Sequence, residues 1–313
     1  MTRRRRLPAM GGNVLLAAAL ILTVLCRGAM AGDILVIDAD RQFAFAESLF
    51  ERHEFSQAAA EYERFVHFFP DDQRVPLAAF KIGQSYFEGQ RWQDAIRQLG
   101  TFAERFRGSP LAARARLLMS RCYLRLGDER SALAVLSRLT AQPENPAVAD
   151  EAWYRTGWIY LENLDWENAR RAFGHIDTAR ADAYHLPALY AGLDTAGQLP
   201  AKDPRVAGLL AVVPGAGFAY CGRYRDAFIA LVANGLVLWA AVDSFDNGND
   251  GLGALLSVLG AGFYAGNIYG SVASAHKYNR RRARSLVERL KQDLQVGLAP
   301  TDGGAVLALQ LRF

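Results

Sequence analysis

Four alanines stand 37 residues apart, at Ala58, Ala95, Ala132 and Ala169, and this fixed interval constrains the chain more than any other feature. The same frame surrounds each of them. Twelve residues earlier stand Ala46, Gly83, Ser120 and Gly157, and nine earlier stand Leu49, Tyr86, Tyr123 and Tyr160. Four residues later stand Tyr62, Leu99, Leu136 and Phe173. Four columns agreeing in four copies describe a repeat protein, in which each unit buries its apolar face against its neighbours. The small residues let one helix approach the next closely, and the aromatic three positions on lies on the same helix face. Turn signals separate the units at Pro70-Asp71-Asp72, Gly108-Ser109-Pro110 and Pro143-Glu144-Asn145-Pro146. Gly127-Asp128 suits the turn inside the third unit.

The fourth unit reads Trp153-x3-Gly157-x2-Tyr160-x8-Ala169-x3-Phe173, which resembles the signature of the tetratricopeptide-repeat (TPR) family. The 37-residue period is longer than the usual TPR period of about 34 and is similar to that of periplasmic TPR arrays in envelope proteins. The resemblance covers residues 40–175 and implies a solenoid whose concave face takes a protein or peptide partner. It assigns the column residues to repeat packing. Helix positions Gln84, Arg121, Arg155 and Glu162 are the candidates for the groove. Asp182 to Thr195 is expected to form a final capping helix.

Ahead of the repeats, residues 1–31 have the form of a secretory signal peptide. Arg3 to Arg6 begin it, Val14 to Cys26 supply an apolar run of 13 residues, and Ala29-Met30-Ala31 supplies a small-x-small cleavage site. An uncleaved anchor is the alternative, and lipidation at Cys26 is disfavoured by Leu25 before it. After cleavage Cys122 and Cys221 remain, a poor disulfide pair because they fall in different domains. The net charge of +4 comes from Arg3–Arg6 and from the cluster Arg280, Arg281, Arg282 and Arg284. Basic residues at membrane boundaries, without a basic stripe on a folded face, argue against nucleic-acid binding.

Charge nearly vanishes between residues 206 and 275. Three apolar segments lie there, Val206 to Cys221, Ala227 to Val242 and Leu252 to Ala275, and they are expected to form a small α-helical membrane domain in contact with the lipid bilayer. A soluble domain with a buried hairpin is the competing reading. Three crossings would place Arg223 and Arg225 inside, the loop with Asp243, Asp246 and Asp250 outside, and Lys277 to Arg284 inside, in accord with the positive-inside rule. Lys202 and Arg205 dissent. Gly262, Gly266, Gly270 and Ser274 recur every four residues along one helix face, which would pack within the chain or form a homo-oligomer. Asn234 and Asn267 are candidate mutual hydrogen-bond partners in that packing. The stretch Pro214-Gly215-Ala216-Gly217-x2-Tyr220-x-Gly222-Arg223 resembles a Pro-Gly-x-Gly motif of a small bacterial membrane-domain family, except that Phe218 replaces a glutamine. That resemblance implies membrane location and no activity.

The whole reads as an all-α chain with a signal peptide at 1–31, a TPR-like solenoid at 32–198 and a linker at 199–205. An apolar membrane domain follows at 206–276, then a basic helix and tail at 277–313 that includes a short β-hairpin near Leu307, Leu309, Leu311 and Phe313. No catalytic motif accompanies it. His53-Glu54 lacks a second histidine at position 57, Gly215-x-Gly217 lacks a third glycine, and no Cys-x-x-Cys occurs. No enzyme activity, cofactor or metal is expected. The function implied is a periplasmic TPR scaffold anchored in a bacterial inner membrane and serving cell-envelope assembly or membrane-protein biogenesis. The alternative is a membrane-active insertion or transport accessory whose array recruits its client.

Overall fold

The computed structural model describes residues 37–141 and 145–296. The leader and the terminal hairpin expected from the sequence lie outside the described residues. Among the described residues the regular structure is helical, a TPR-like solenoid followed by further helices, and no strand occurs. The chain divides between Phe102 and Ala103 into two compact units.

The first unit contains α1 (Ala39–Glu51), α2 (Phe55–Phe68), α3 (Val75–Glu88) and most of α4 (Trp92–Arg105). Local chemistry sets the helix starts. The Asp38 carboxylate caps α1 by accepting from the Arg41 N–H at 2.8 Å, and Pro76 sits in the first turn of α3, where its missing N–H costs no helical bond. Helices pack in pairs, small residue against large. Ala46 and Tyr62 are both fully buried, and a Cβ on Gly83 would lie 2.6 Å from the Leu99 side chain.

The second unit continues the pattern with α5 (Pro110–Arg125), α6 (Glu129–Ala141), α7 (Pro146–Glu162) and α8 (Trp166–Phe173). Ser109 caps α5 at the Leu111 N–H (3.2 Å) and Asn145 caps α7 at the Ala147 N–H (2.8 Å). Ser120 and Leu136 are fully buried, and a Cβ on Gly157 would come within 2.3 Å of the Phe173 ring. The alanines at 58, 95, 132 and 169 are all 0% exposed, whereas Tyr86, Tyr123 and Tyr160 are only half-buried.

The turn inside each pair places one residue in the left-handed region at the same interval of 37: His53 (φ 62°), Gln90 (φ 59°), Gly127 (φ 75°) and Leu164 (φ 62°). Only the third copy carries the glycine that this conformation favours.

A fifth helix pair then closes the array in an unusual way. Helix α9 (Leu186–Gly197) takes the first place; it starts later than the capping helix expected at Asp182, after a 3-10 turn at Thr178–Arg180. Its partner is the far end of the last helix, α13 (Asp250–Val296, 47 residues). A Cβ on Gly192 would meet Leu290 at 2.5 Å, repeating the glycine-against-large-residue contact of the second and fourth pairs. In those pairs the two residues are 16 apart in sequence; here they are 98 apart. Leu286, Val287, Leu290 and Leu294 share one core with Tyr154, Trp158, Phe173 and Leu189. At its rim the Lys291 ammonium donates to Glu162 at 2.7 Å.

Between α9 and α13 lie α10 (Pro204–Leu210), α11 (Ala216–Tyr220) and α12 (Tyr224–Asp246). Helices α12 and the first half of α13 form an antiparallel hairpin around a turn at Gly248 (φ 76°). These two are long and apolar enough to cross a membrane. The first apolar segment is not, because it breaks into helices of 7 and 5 residues, about 10 and 8 Å long. Among the described residues, then, two helices and not the expected three are long and apolar enough to cross. The boundary expected at 276/277 falls inside one continuous helix, since a change from apolar to charged composition carries no glycine or proline to break it. Lys277 to Arg284 accordingly belong to the helix that docks on the fourth repeat, on the same side of the hairpin as the repeats of this unit.

Candidate interaction site

Two places in the second unit have the geometry to engage partners. The first lies between the leading helices of the third and fourth pairs. Ala113, Arg114 and Leu117 of α5 face Val148 and Glu151 of α7 across a cavity of about 400 Å³, closed at one end by Gly108, Pro110 and Asn145. Arg114 and Glu151 are equivalent positions 37 apart, so the repeat itself lines them up. The Glu151 carboxylate also accepts from Arg155 at 3.1 and 2.5 Å, which leaves the Arg155 side chain 11% exposed. The surface therefore offers one arginine, one arginine–glutamate pair and an apolar floor, suitable for an extended or helical peptide bearing both charges.

Of the groove candidates from the sequence, three fall in the second unit. Arg155 borders this cavity through Glu151. Glu162 is engaged by Lys291, so it serves the internal closure of the array. Gln84 belongs to the first unit and is half-buried, and Arg121 lies half-buried on α5. The equivalent of Gln84 and Arg121 in the fourth pair is Trp158, buried in the core shared with α13. Arg114, Leu117 and Glu151 escaped the sequence reading; a scan of the columns for alternating charge would have found Arg114 and Glu151, while nothing in the sequence marks Leu117, which is 4% exposed.

The second place is the foot of the apolar hairpin, where the Pro-Gly motif folds into a compact knot against α13. Gly215 (φ 88°) donates its N–H to Asn267 Oδ1 at 3.0 Å, and Asn267 Nδ2 donates to the Ala211 carbonyl at 2.8 Å. A Cβ on Gly215 would lie 2.2 Å from the Ala227 carbonyl oxygen, and one on Gly217 would lie 2.3 Å from that of Ala207. Pro214 precedes this turn and borders a cavity of about 570 Å³ beside α12 and α13. Tyr220 accepts from the Asp203 N–H at 3.2 Å, Gly222 (φ 76°) reverses the chain, and Arg223 donates to Ser274 at 2.8 Å and to Asp226 at 2.7 Å. Gly215, Gly217 and Arg223 thus fasten this knot to the middle of α13, at Asn267, Ser271 and Ser274. The position expected to hold a glutamine holds Phe218, whose ring covers Gly270.

Asn234 and Asn267 do not bond to each other. Asn234 donates to the Ala230 carbonyl of its own helix, while Asn267 satisfies two buried backbone groups of the knot that would otherwise be unpaired. Nor do Gly262 and Gly266 pack on α12 at close range: no atom lies within 4 Å of a Cβ built on either. They line an open groove of about 690 Å³ together with Asn234, Ile229, Phe263 and Phe218. Beyond it the hairpin exposes Phe228 (67%), Leu238 (67%), Trp239 (67%) and Val258 (72%), an apolar surface of a kind that soluble monomers rarely present.

Among the described residues no group of three or more His, Cys, Asp or Glu could hold a metal. Both described cysteines are free and buried, and burial pushes the Cys122 thiol up to about 12, which keeps it protonated and unreactive.

Models of the tetratricopeptide repeat match residues 80–146 and 151–176, so these segments are TPR repeats. No curated protein matches the chain. A solved TPR repeats protein from Bacteroides fragilis is similar at 12% identity and a TM-score of 0.33, covering 82% of this chain and 100% of its own.

Proposed function

We propose that the chain is a membrane-anchored scaffold whose TPR array recruits a protein or peptide partner while the α12–α13 hairpin holds it in a bilayer. The observation that carries this reading is the double life of α13. Its first half bears exposed apolar residues suited to lipid, and its last turns complete the core of the fourth repeat. A flexible tether would hold the array near a membrane; a shared helix fixes the distance and orientation of the fourth repeat there. The partner surface is the cavity between α5 and α7, with Arg114, Leu117 and Glu151 as contacts.

The leader-like pattern at residues 1–31 favours an array in the periplasm and an anchor in the inner membrane, in service of envelope assembly or membrane-protein biogenesis. The charges oppose it, because two crossings put Arg223, Arg225 and Lys277–Arg284 on the array's side. Long domains cross a membrane largely regardless of flanking charge, so the leader decides.

Single cysteines at Gln73, Asn247 and Arg282, in a chain with Cys122 and Cys221 replaced, test the arrangement by labelling in intact cells. The expected result is labelling of Gln73 and Arg282 from outside and protection of Asn247. Opposite sidedness of Gln73 and Arg282 would overturn the two-crossing anchor, and protection of both would place the array in the cytoplasm.

A further inference from the structure

A second charged feature stands at the foot of the hairpin, apart from the partner cavity. Asn279 clamps the linker by accepting from the Lys202 N–H at 2.8 Å and donating to the Lys202 carbonyl at 2.9 Å. This holds the Lys202 ammonium 4.5 Å from the centre of the Tyr220 ring and 5.9 Å from that of Tyr278. The Arg282 guanidinium, one helical turn beyond Tyr278, lies 5.5 Å from the same Tyr278 ring. Two cations thus converge on one phenol ring. Neither forms an ion pair with a carboxylate among the described residues, and neither do the neighbouring Lys277 and Arg281. Bringing like charges together without an anion is unfavourable, and ring faces compensate only part of it.

The depth of this cluster on the membrane-anchor reading bears on which anion would suit it. Arg223 ties the start of α12 to Ser274 of α13, so both hairpin helices leave the apolar layer at one level. The cluster begins about one turn beyond that level, where the headgroups of a bilayer would lie, with Tyr220 and Tyr278 placed as interfacial aromatics are. The far loop carries Asp243, Asp246 and Asp250 instead. We propose that Lys202, Arg282 and Tyr278 form a binding site for the phosphate of an anionic phospholipid, flanked by Lys277 and Arg281. This rests on the membrane-anchor reading and deepens it. It also supplies a reason for basic residues on a side where the positive-inside rule does not call for them.

The test uses the full chain purified in neutral maltoside micelles. Thermal unfolding is followed during titration with short-chain phosphatidylglycerol, short-chain phosphatidylcholine or inorganic phosphate. Phosphatidylglycerol should raise the midpoint at concentrations where phosphatidylcholine and phosphate do not. A Lys202→Gln/Arg282→Gln variant should bind it about thirtyfold more weakly, at roughly fivefold per juxtamembrane cation, while Arg282→Lys should retain most of the effect. Equal responses to the two lipids would overturn the site. An equal response to inorganic phosphate would overturn its assignment to a lipid. Resistance of the chain in native membranes to alkaline carbonate tests the anchor separately: a chain that stays in the pellet without headgroup preference loses this inference alone, and a chain that washes out loses both.

Discussion

Exchanging the knob and hole of the fifth helix pair tests whether the C-terminal helix completes the array. Leu290 is 7% exposed and sits over Gly192. Leu290→Ala should cost about 2–5 kcal/mol, the range for truncating a leucine in a core. Gly192→Ala gains about 1 kcal/mol of helix propensity but thrusts a methyl to within 2.5 Å of Leu290, an overpacking worth about 1–3 kcal/mol. Its net cost should be about 0–2 kcal/mol. In the double variant the clash disappears, and the new methyl fills roughly 30 Å³ of void, recovering about 0.7 kcal/mol at ~24 cal/mol per Å³. The two changes should therefore be less than additive by about 2–4 kcal/mol. Urea-dependent pulse proteolysis of the full chain in micelles, scored by cleavage within α9, measures all four species. Additivity within about 0.5 kcal/mol would refute the seating of Leu290 on Gly192.

The left-handed turn positions predict that Gln90→Gly, at an exposed site, raises stability by up to about 1 kcal/mol, while Gly127→Ala lowers it by a similar amount; urea denaturation distinguishes the signs. Asn267→Leu should destabilise the knot by about 2–4 kcal/mol, because it orphans the Gly215 N–H and the Ala211 carbonyl together, and thermal unfolding in micelles measures it. The Arg74 guanidinium, 2.7 and 2.9 Å from the Asp72 oxygens, holds that carboxyl at about 2. A depressed carboxyl stabilises above its unfolded value of about 4 and loses that contribution as pH falls. The stability gap between wild type and Asp72→Asn, read by circular dichroism, should hold steady above pH ~5 and vanish as the pH falls from ~4 to ~2.

How much of this could be read from residues alone depended on sequence distance. The repeat was legible because Gly83 and Leu99, or Gly157 and Phe173, lie 16 apart in a frame that recurs every 37 residues. Gly192 and Leu290 make the same contact across 98 residues, where no period connects them. The turns were half legible, since Gly127 announces a positive φ and His53, Gln90 and Leu164 do not. In the apolar part, Asn234 and Asn267 looked like a pair because amides are rare there, but a backbone turn competes better for Asn267 than a distant side chain does. The groove candidates stayed unranked because helix faces cannot be sorted by exposure until the neighbouring helices are known. Glu162 illustrates this, taken up by Lys291 of a helix that the sequence assigns to another domain.

The split fifth pair also sets an order of events during biogenesis. Closing the contact between Gly192 and Leu290 costs about 1.6 kcal/mol more in loop entropy than closing a 16-residue pair, by the logarithm of the length ratio. More consequentially, Leu290 is synthesised only after both hairpin helices, so the ribosome has released the fourth repeat with its terminal face bare long before the helix that covers it exists. Until the hairpin has turned back, Trp158, Leu189 and Leu193 stay open to solvent and to chaperones. On the membrane-anchor reading, sealing of that face would report that insertion is complete, and a chain whose hairpin fails to turn back carries an uncapped fourth repeat, a ready substrate for aggregation or proteolysis.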